Sequence, residues 1–177
     1  MDKKKLIGTI IGVIAFAALI AGATYAWLTQ NVATVNGTYN LGTMNFSVTY
    51  VKGTNVTNVP ALSAPTTSTA SNLNVKANKV AGSAPGNLTI YLNTSSMTLT
   101  AGALNYAVCV GTCSSTDLTA VANKGTVSET GKLAILSNTP LTADATTYNV
   151  YLWLDPSKVS GGETYSGFIS AEATQTD

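Results

Sequence analysis

From Met44 onward the chain alternates, with Met44, Phe46, Val48 and Tyr50 apolar or aromatic and Asn45, Ser47 and Thr49 polar between them. Successive side chains of extended backbone point to opposite faces, so a period of two predicts a half-buried strand. Runs of the same kind at 87–93, 96–100, 104–110, 132–137, 146–155 and 164–174 predict further strands. In the first of these, Leu88, Ile90 and Leu92 share one face. Pro85-Gly86, Ala101-Gly102, Asp155-Pro156-Ser157 and Gly161-Gly162 supply turn chemistry between several runs. Tyr148 to Leu154 carries apolar groups on both faces, which predicts a central strand with Trp153 as a packing residue. No helical period follows Leu28. The pattern predicts an all-β domain, an antiparallel β-sandwich of jelly-roll or Ig-like type.

Two stretches break the rhythm. Residues 60–86, PALSAPTTSTASNLNVKANKVAGSAPG, are rich in Ser, Ala, Thr and Pro, and the composition predicts a long surface loop. At the other extreme, Lys3-Lys4-Lys5 precedes an uncharged run from Leu6 to Leu28. As a helix that run would be roughly 34 Å long, enough to span a bilayer. A short basic start, an apolar stretch and small residues at Ala21-Gly22-Ala23 and Ala26 describe a signal peptide; an uncleaved anchor begins the same way. Either sends the remainder outside the cell. The expected division is a signal peptide or membrane anchor over 1–26, an extended segment over 27–40 and the β domain over 41–177, with membrane contact only through 1–28.

Charge narrows the chemistry. Nine cationic residues, all Lys, face eight acidic ones, His is absent, and charged residues make up 10% of the chain. Without imidazole there is no His-ligated zinc and no Ser-His-Asp or Cys-His nucleophile, so no enzyme activity and no cofactor are expected. Scattered Lys without Arg gives no footprint for a phosphate backbone, so no nucleic-acid partner is expected. The acids from Asp117 to Asp177 stand singly, without a calcium-loop pattern. Asp155 and Glu163 flank the last turn and are expected to be solvated surface groups.

Cys109 and Cys113 are the two cysteines, and Gly111 between them allows the turn that a disulfide needs. Closing so short a loop removes only about 2 kcal/mol of unfolded-chain entropy, so the bridge is expected to pin a strand end rather than make the fold possible. The spacing differs from a redox CxxC, and no second cysteine pair completes a metal shell. Asn-x-Ser/Thr triplets at Asn36, Asn45, Asn55, Asn87 and Asn93 are what a Thr- and Asn-rich chain yields by chance, and Asn45 falls inside a predicted strand.

The junction of apolar run and domain reads Ala23-Thr24-Tyr25-Ala26-Trp27-Leu28-Thr29, then Asn36-Gly37-Thr38-Tyr39-Asn40-Leu41-Gly42-Thr43-Met44-Asn45-Phe46. It resembles the start of the TasA/camelysin family, in which a G-T-Y/W-A-x-F export signal is followed by a segment like N-T-F-x-A-G-T-L-D-L. Thr164 to Ala173 looks similar to the family's closing strand. Leu28 stands where the family has Phe, and Asn45-Phe46 where it has Asp-Leu. The resemblance implies a jelly-roll domain, cleavage near Ala26 by a dedicated signal peptidase, and display outside the cell, in several members as the subunit of a biofilm-matrix fibre. Metallopeptidase activity, a label carried by camelysin-type relatives, does not transfer, because this chain has neither His nor HExxH.

Residues 27–40 are uncharged, β-favouring and free of Pro, which suits a donor strand added to a neighbouring copy, with Trp27, Leu28, Val32 and Tyr39 as subunit contacts. The partner is then the chain itself, in an open head-to-tail filament held by apolar burial and strand pairing. Two alternatives remain. Lys3 to Gly8 before Thr9-Ile10-Ile11 also looks like a type IV or archaeal pilin, although Val13 stands where the bacterial pattern has Glu. A membrane-anchored monomeric adhesin is the other. A mature chain beginning near Trp27, at Thr9 or at Met1 distinguishes the three.

Overall fold

The computed structural model describes residues 32–41 and 43–176. The expected apolar helix, the cleavage position Ala26 and the contact residues Trp27 and Leu28 lie outside the described residues. Among the described residues no helix is long and apolar enough to cross a membrane.

The strands, in order, are β1 (Val32–Ala33), β2 (Gly37–Leu41), β3 (Met44–Tyr50), β4 (Ser71–Lys79), β5 (Gly86–Met97), β6 (Leu104–Val110), β7 (Lys124–Val127), β8 (Gly131–Pro140), β9 (Thr146–Leu154) and β10 (Tyr165–Gln175). A 3-10 turn, Leu118–Ala120, precedes β7. The strands form two antiparallel sheets, one ordered β1-β10-β5-β8 and the other β2-β3-β4-β9-β6-β7. From β4 onward the chain passes repeatedly between the two sheets. Their facing sides share one core, to which β3 gives Phe46 and Val48, β5 Leu88, Ile90 and Leu92, β9 Tyr148, Val150 and Leu152, and β10 Ile169 and Ala171. The period of two thus becomes burial: along β3, Met44, Phe46, Val48 and Tyr50 are buried and the residues between them are not.

The loop expected over 60–86 is corrected. Its centre is β4, paired with β3 on one side and β9 on the other. Leu73, Val75 and Ala77 are buried in the core, while Asn72, Asn74, Lys76 and Asn78 occupy the opposite face of the strand. Backbone hydrogen bonds on both edges and three inward apolar groups outweigh a composition that is polar only because the other face is solvated. The stretch ahead of it runs beside β9, where Leu62 N–H donates to Leu154 O and Leu154 N–H to Pro60 O.

The division at residue 40 is also corrected. β2 is the edge strand of the six-stranded sheet, paired with β3 from Gly37 opposite Val48 to Leu41 opposite Met44, and Tyr39 stacks on Phe46 with centroids 5.2 Å apart. β1 pairs with β10, Val32 opposite Glu172 and Ala33 opposite Ala171. The described part of 27–40 is therefore engaged within its own chain. The strand expected at 96–100 is not separate either, because β5 itself runs on to Met97.

β9 is central, as its two apolar faces predict. Its outward Tyr151 and Trp153 join Ala107, Cys109, Leu118 and Val121 in a second, smaller apolar cluster on the outside of the six-stranded sheet.

Candidate functional site

β10 has two unequal edges. Its inner edge is paired with β5 along its whole length, from Tyr165 opposite Met97 to Gln175 opposite Gly86. The outer edge is closed piecemeal. Val56 N–H donates to Gly167 O and Ile169 N–H to Thr54 O, each at 2.9 Å, around a bridge between Asn55 and Phe168. Next the Tyr50 phenol bonds the Ala171 backbone, and burial pushes that phenol well above its ordinary pKa, so it stays protonated. Then comes β1, opposite Ala171 and Glu172. Along 173–175 no strand pairs on that side among the described residues.

The linker from β1 to β2 is 34–36, and it joins strands of different sheets. Thr34, Val35 and Asn36 are exposed, Val35 at 66%. Asn36 Oδ1 accepts the Tyr50 N–H, which fixes the linker where it meets the six-stranded sheet. Glu172, opposite Val32, turns away from β1. Its carboxylate pairs with Lys132 of β8 and with the Tyr91 hydroxyl, and the Lys132 ammonium lies 3.9 Å from the centroid of the Tyr91 ring.

Cys109 and Cys113 are bonded, with Cα atoms 5.0 Å apart and Gly111 at φ +68°. The small loop is tied to β9, since Gly111 N–H donates to Thr147 O and Asn149 Nδ2 to Gly111 O, both at 2.7 Å. It pins the end of β6, as the sequence predicts.

Asp155 and Glu163 do not form a pair; each closes its own turn. Asp155 Oδ1 accepts from the Ser157 hydroxyl and amide, and Glu163 accepts from the amides of Ser160 and Gly161. Those bonds hold both carboxyls below the usual range, as the Thr119 hydroxyl and amide do for Asp117. Among the described residues no group of three or more His, Cys, Asp or Glu is placed to hold a metal. Of the sequon asparagines, Asn45 lies in β3, while Asn93 Nδ2 donates to Ser170 Oγ and Phe168 O.

A groove that sequence reasoning does not reveal lies beside the second apolar cluster. It has a volume of about 580 Å³ and is walled by Leu62 to Pro65, the Lys124–Thr126 stretch of β7 and the Asp155–Ser157 turn, with Asn105, Tyr106 and Trp153 also lining it. Its parts come from five separated stretches, so no local motif announces it. Trp153, expected as a packing residue, is buried to 7% exposure and still reaches the groove.

No family model and no curated protein matches the chain. Among solved structures, the trimeric lipoprotein SadB of Salmonella enterica aligns over 96% of this chain and 75% of its own, at 9% identity and a TM-score of 0.28, too low to bear on fold or function.

Proposed function

We propose that the protein is a structural subunit of an extracellular filament or biofilm-matrix fibre, exported with removal of the segment up to about Ala26 and assembled by strand exchange between copies. The observation that carries this is the outer edge of β10. A two-residue strand closes part of it, on a linker of 34–36 that leads into the other sheet. The same hydrogen bonds form whether β1 comes from the same chain or a neighbour, so exchange costs little beyond straightening the linker. Along 173–175 the edge has no strand partner among the described residues, which leaves it open to a strand from a neighbouring copy.

The strand order supports the same reading. β10-β5-β8 opposite β4-β9-β6-β7 is the order of a jelly-roll sandwich, whose first strand would lie beside β10. That position is shared here by β1 and 54–56. Charged residues make up only 10% of the chain, and exposed ion pairs contribute little, so in this reading intersubunit attraction rests on strand pairing and apolar burial. Filaments then persist in high salt and under chelation.

The test is deletion of 27–33 from the secreted protein. Folded monomers that no longer polymerise are expected, and filaments of normal length from that truncation overturn the reading.

A further inference from the structure

We propose that the groove beside Trp153 binds a neutral oligosaccharide. Its frame is preformed. Leu62 N–H donates to Leu154 O, Leu118 N–H to Pro65 O and Thr67 N–H to Thr116 O, so the wall over the sheet is fixed before any ligand arrives. Its apolar lining is made of rings: the half-buried Tyr106 and the exposed Pro156, beside the buried Trp153 and Pro65. Flat faces of this kind pack against the C–H faces of a sugar.

The polar complement is hydroxyl and amide. Ser63 and Thr126 have hydroxyls without a protein partner among the described residues, and Asn105 donates Nδ2 to Ala103 O, leaving its Oδ1 to accept. The charges in the groove are already engaged. The Lys124 ammonium donates to Thr119 O, and the Asp155 carboxylate accepts twice from Ser157 and lies 4.0 Å from Lys158. Lys124 and Asp155 give the groove one charge of each sign and no net charge, which favours neither an anion nor a cation, and a wholly apolar ligand would take water from the hydroxyls without replacing it. An uncharged polyhydroxyl ring meets both demands. The proposal does not depend on assembly.

The chain has two tryptophans, so Trp27→Phe leaves Trp153 as the one indole emitter. That variant is titrated separately with cellotetraose, maltotetraose and triacetylchitotriose. A saturable change in Trp153 emission with at least one of them, unaltered by high salt, is expected. Adding Thr126→Lys, an exposed strand position that puts a charge at the groove, is expected to weaken the response at least about tenfold with the melting temperature unchanged. Three outcomes overturn the proposal: no saturable response to any of the three sugars, binding unaffected by Thr126→Lys, or a response to a synthetic peptide of residues 27–33 in place of the sugars.

Discussion

The phenol of Tyr106 occupies the space that a side chain at Gly125 would need. The two residues face each other across β6 and β7, and a Cβ at Gly125 would stand 2.5 Å from the Tyr106 hydroxyl oxygen and 2.7 Å from the ring carbon that bears it. Gly125 is not among the positive-φ residues, so its requirement is steric rather than torsional. The bare backbone lets the ring lie across the edge strand, where both residues line the groove.

Gly125→Ala is therefore expected to cost about 1 kcal/mol, because the clash is with the end of one side chain that can swing away. Urea denaturation measures the loss. Combining it with Tyr106→Leu should recover most of it; additive losses would place the strain elsewhere.

β4 yields a sharper contrast. In a surface loop Val75→Ala would be silent, but Val75 is fully buried between the sheets, and removing its two methyl groups is expected to cost about 2 kcal/mol. An unchanged urea midpoint would return the stretch to a loop.

Ala33 stands opposite Ala171. Replacing both with Cys and oxidising distinguishes the origin of β1, since antiparallel partners lie within bridging distance. A covalent ladder of subunits on a non-reducing gel is expected from filaments. A monomer band alone would mean that the strand stays at home.

Breaking the Cys109–Cys113 bridge should lower stability by about 2 kcal/mol, the entropy of a very small loop, with the sheets intact. Circular dichroism with and without reductant checks this. Filaments should survive the same treatment, and their dissolution would show that the bridge holds an intersubunit surface.

Two pH limits follow from the shifted groups. Asp117, Asp155 and Glu163 have folded values below their unfolded ones, so their contribution is present above about pH 4 and is lost as pH falls through the lowered values. Asp117→Asn with Asp155→Asn and Glu163→Gln should flatten that acid limb. Tyr50, Tyr148 and Tyr165 have phenols raised by burial, so theirs is complete below about pH 10 and is lost as pH rises through the raised values. Phenolate absorbance from these three should appear together with loss of structure; its appearance in the folded protein would contradict their burial.

Much of the all-β, antiparallel fold is legible in the chain, because half-buried strands write their geometry as alternation. β3, β9 and β10 lie close to where the pattern puts them, and the disulfide follows from two cysteines around a glycine. β4 carries the same signal in Leu73, Val75 and Ala77, but the surrounding Ser, Ala, Thr and Pro conceal it when composition is weighed above period. β1 is only two residues long and β2 is mostly exposed, so both suit a free arm equally well.

Alternation tells which face of a strand is buried and is silent on its neighbours, since backbone hydrogen bonds are the same for any partner. The sequence alone therefore determined that the chain forms strands, where most of them run and that its two cysteines pair. Only the tertiary structure decided that β10 keeps a piecemeal outer edge beside β1, and that residues from 62 to 157 meet around Trp153, because both depend on contacts between stretches that carry no local record of one another.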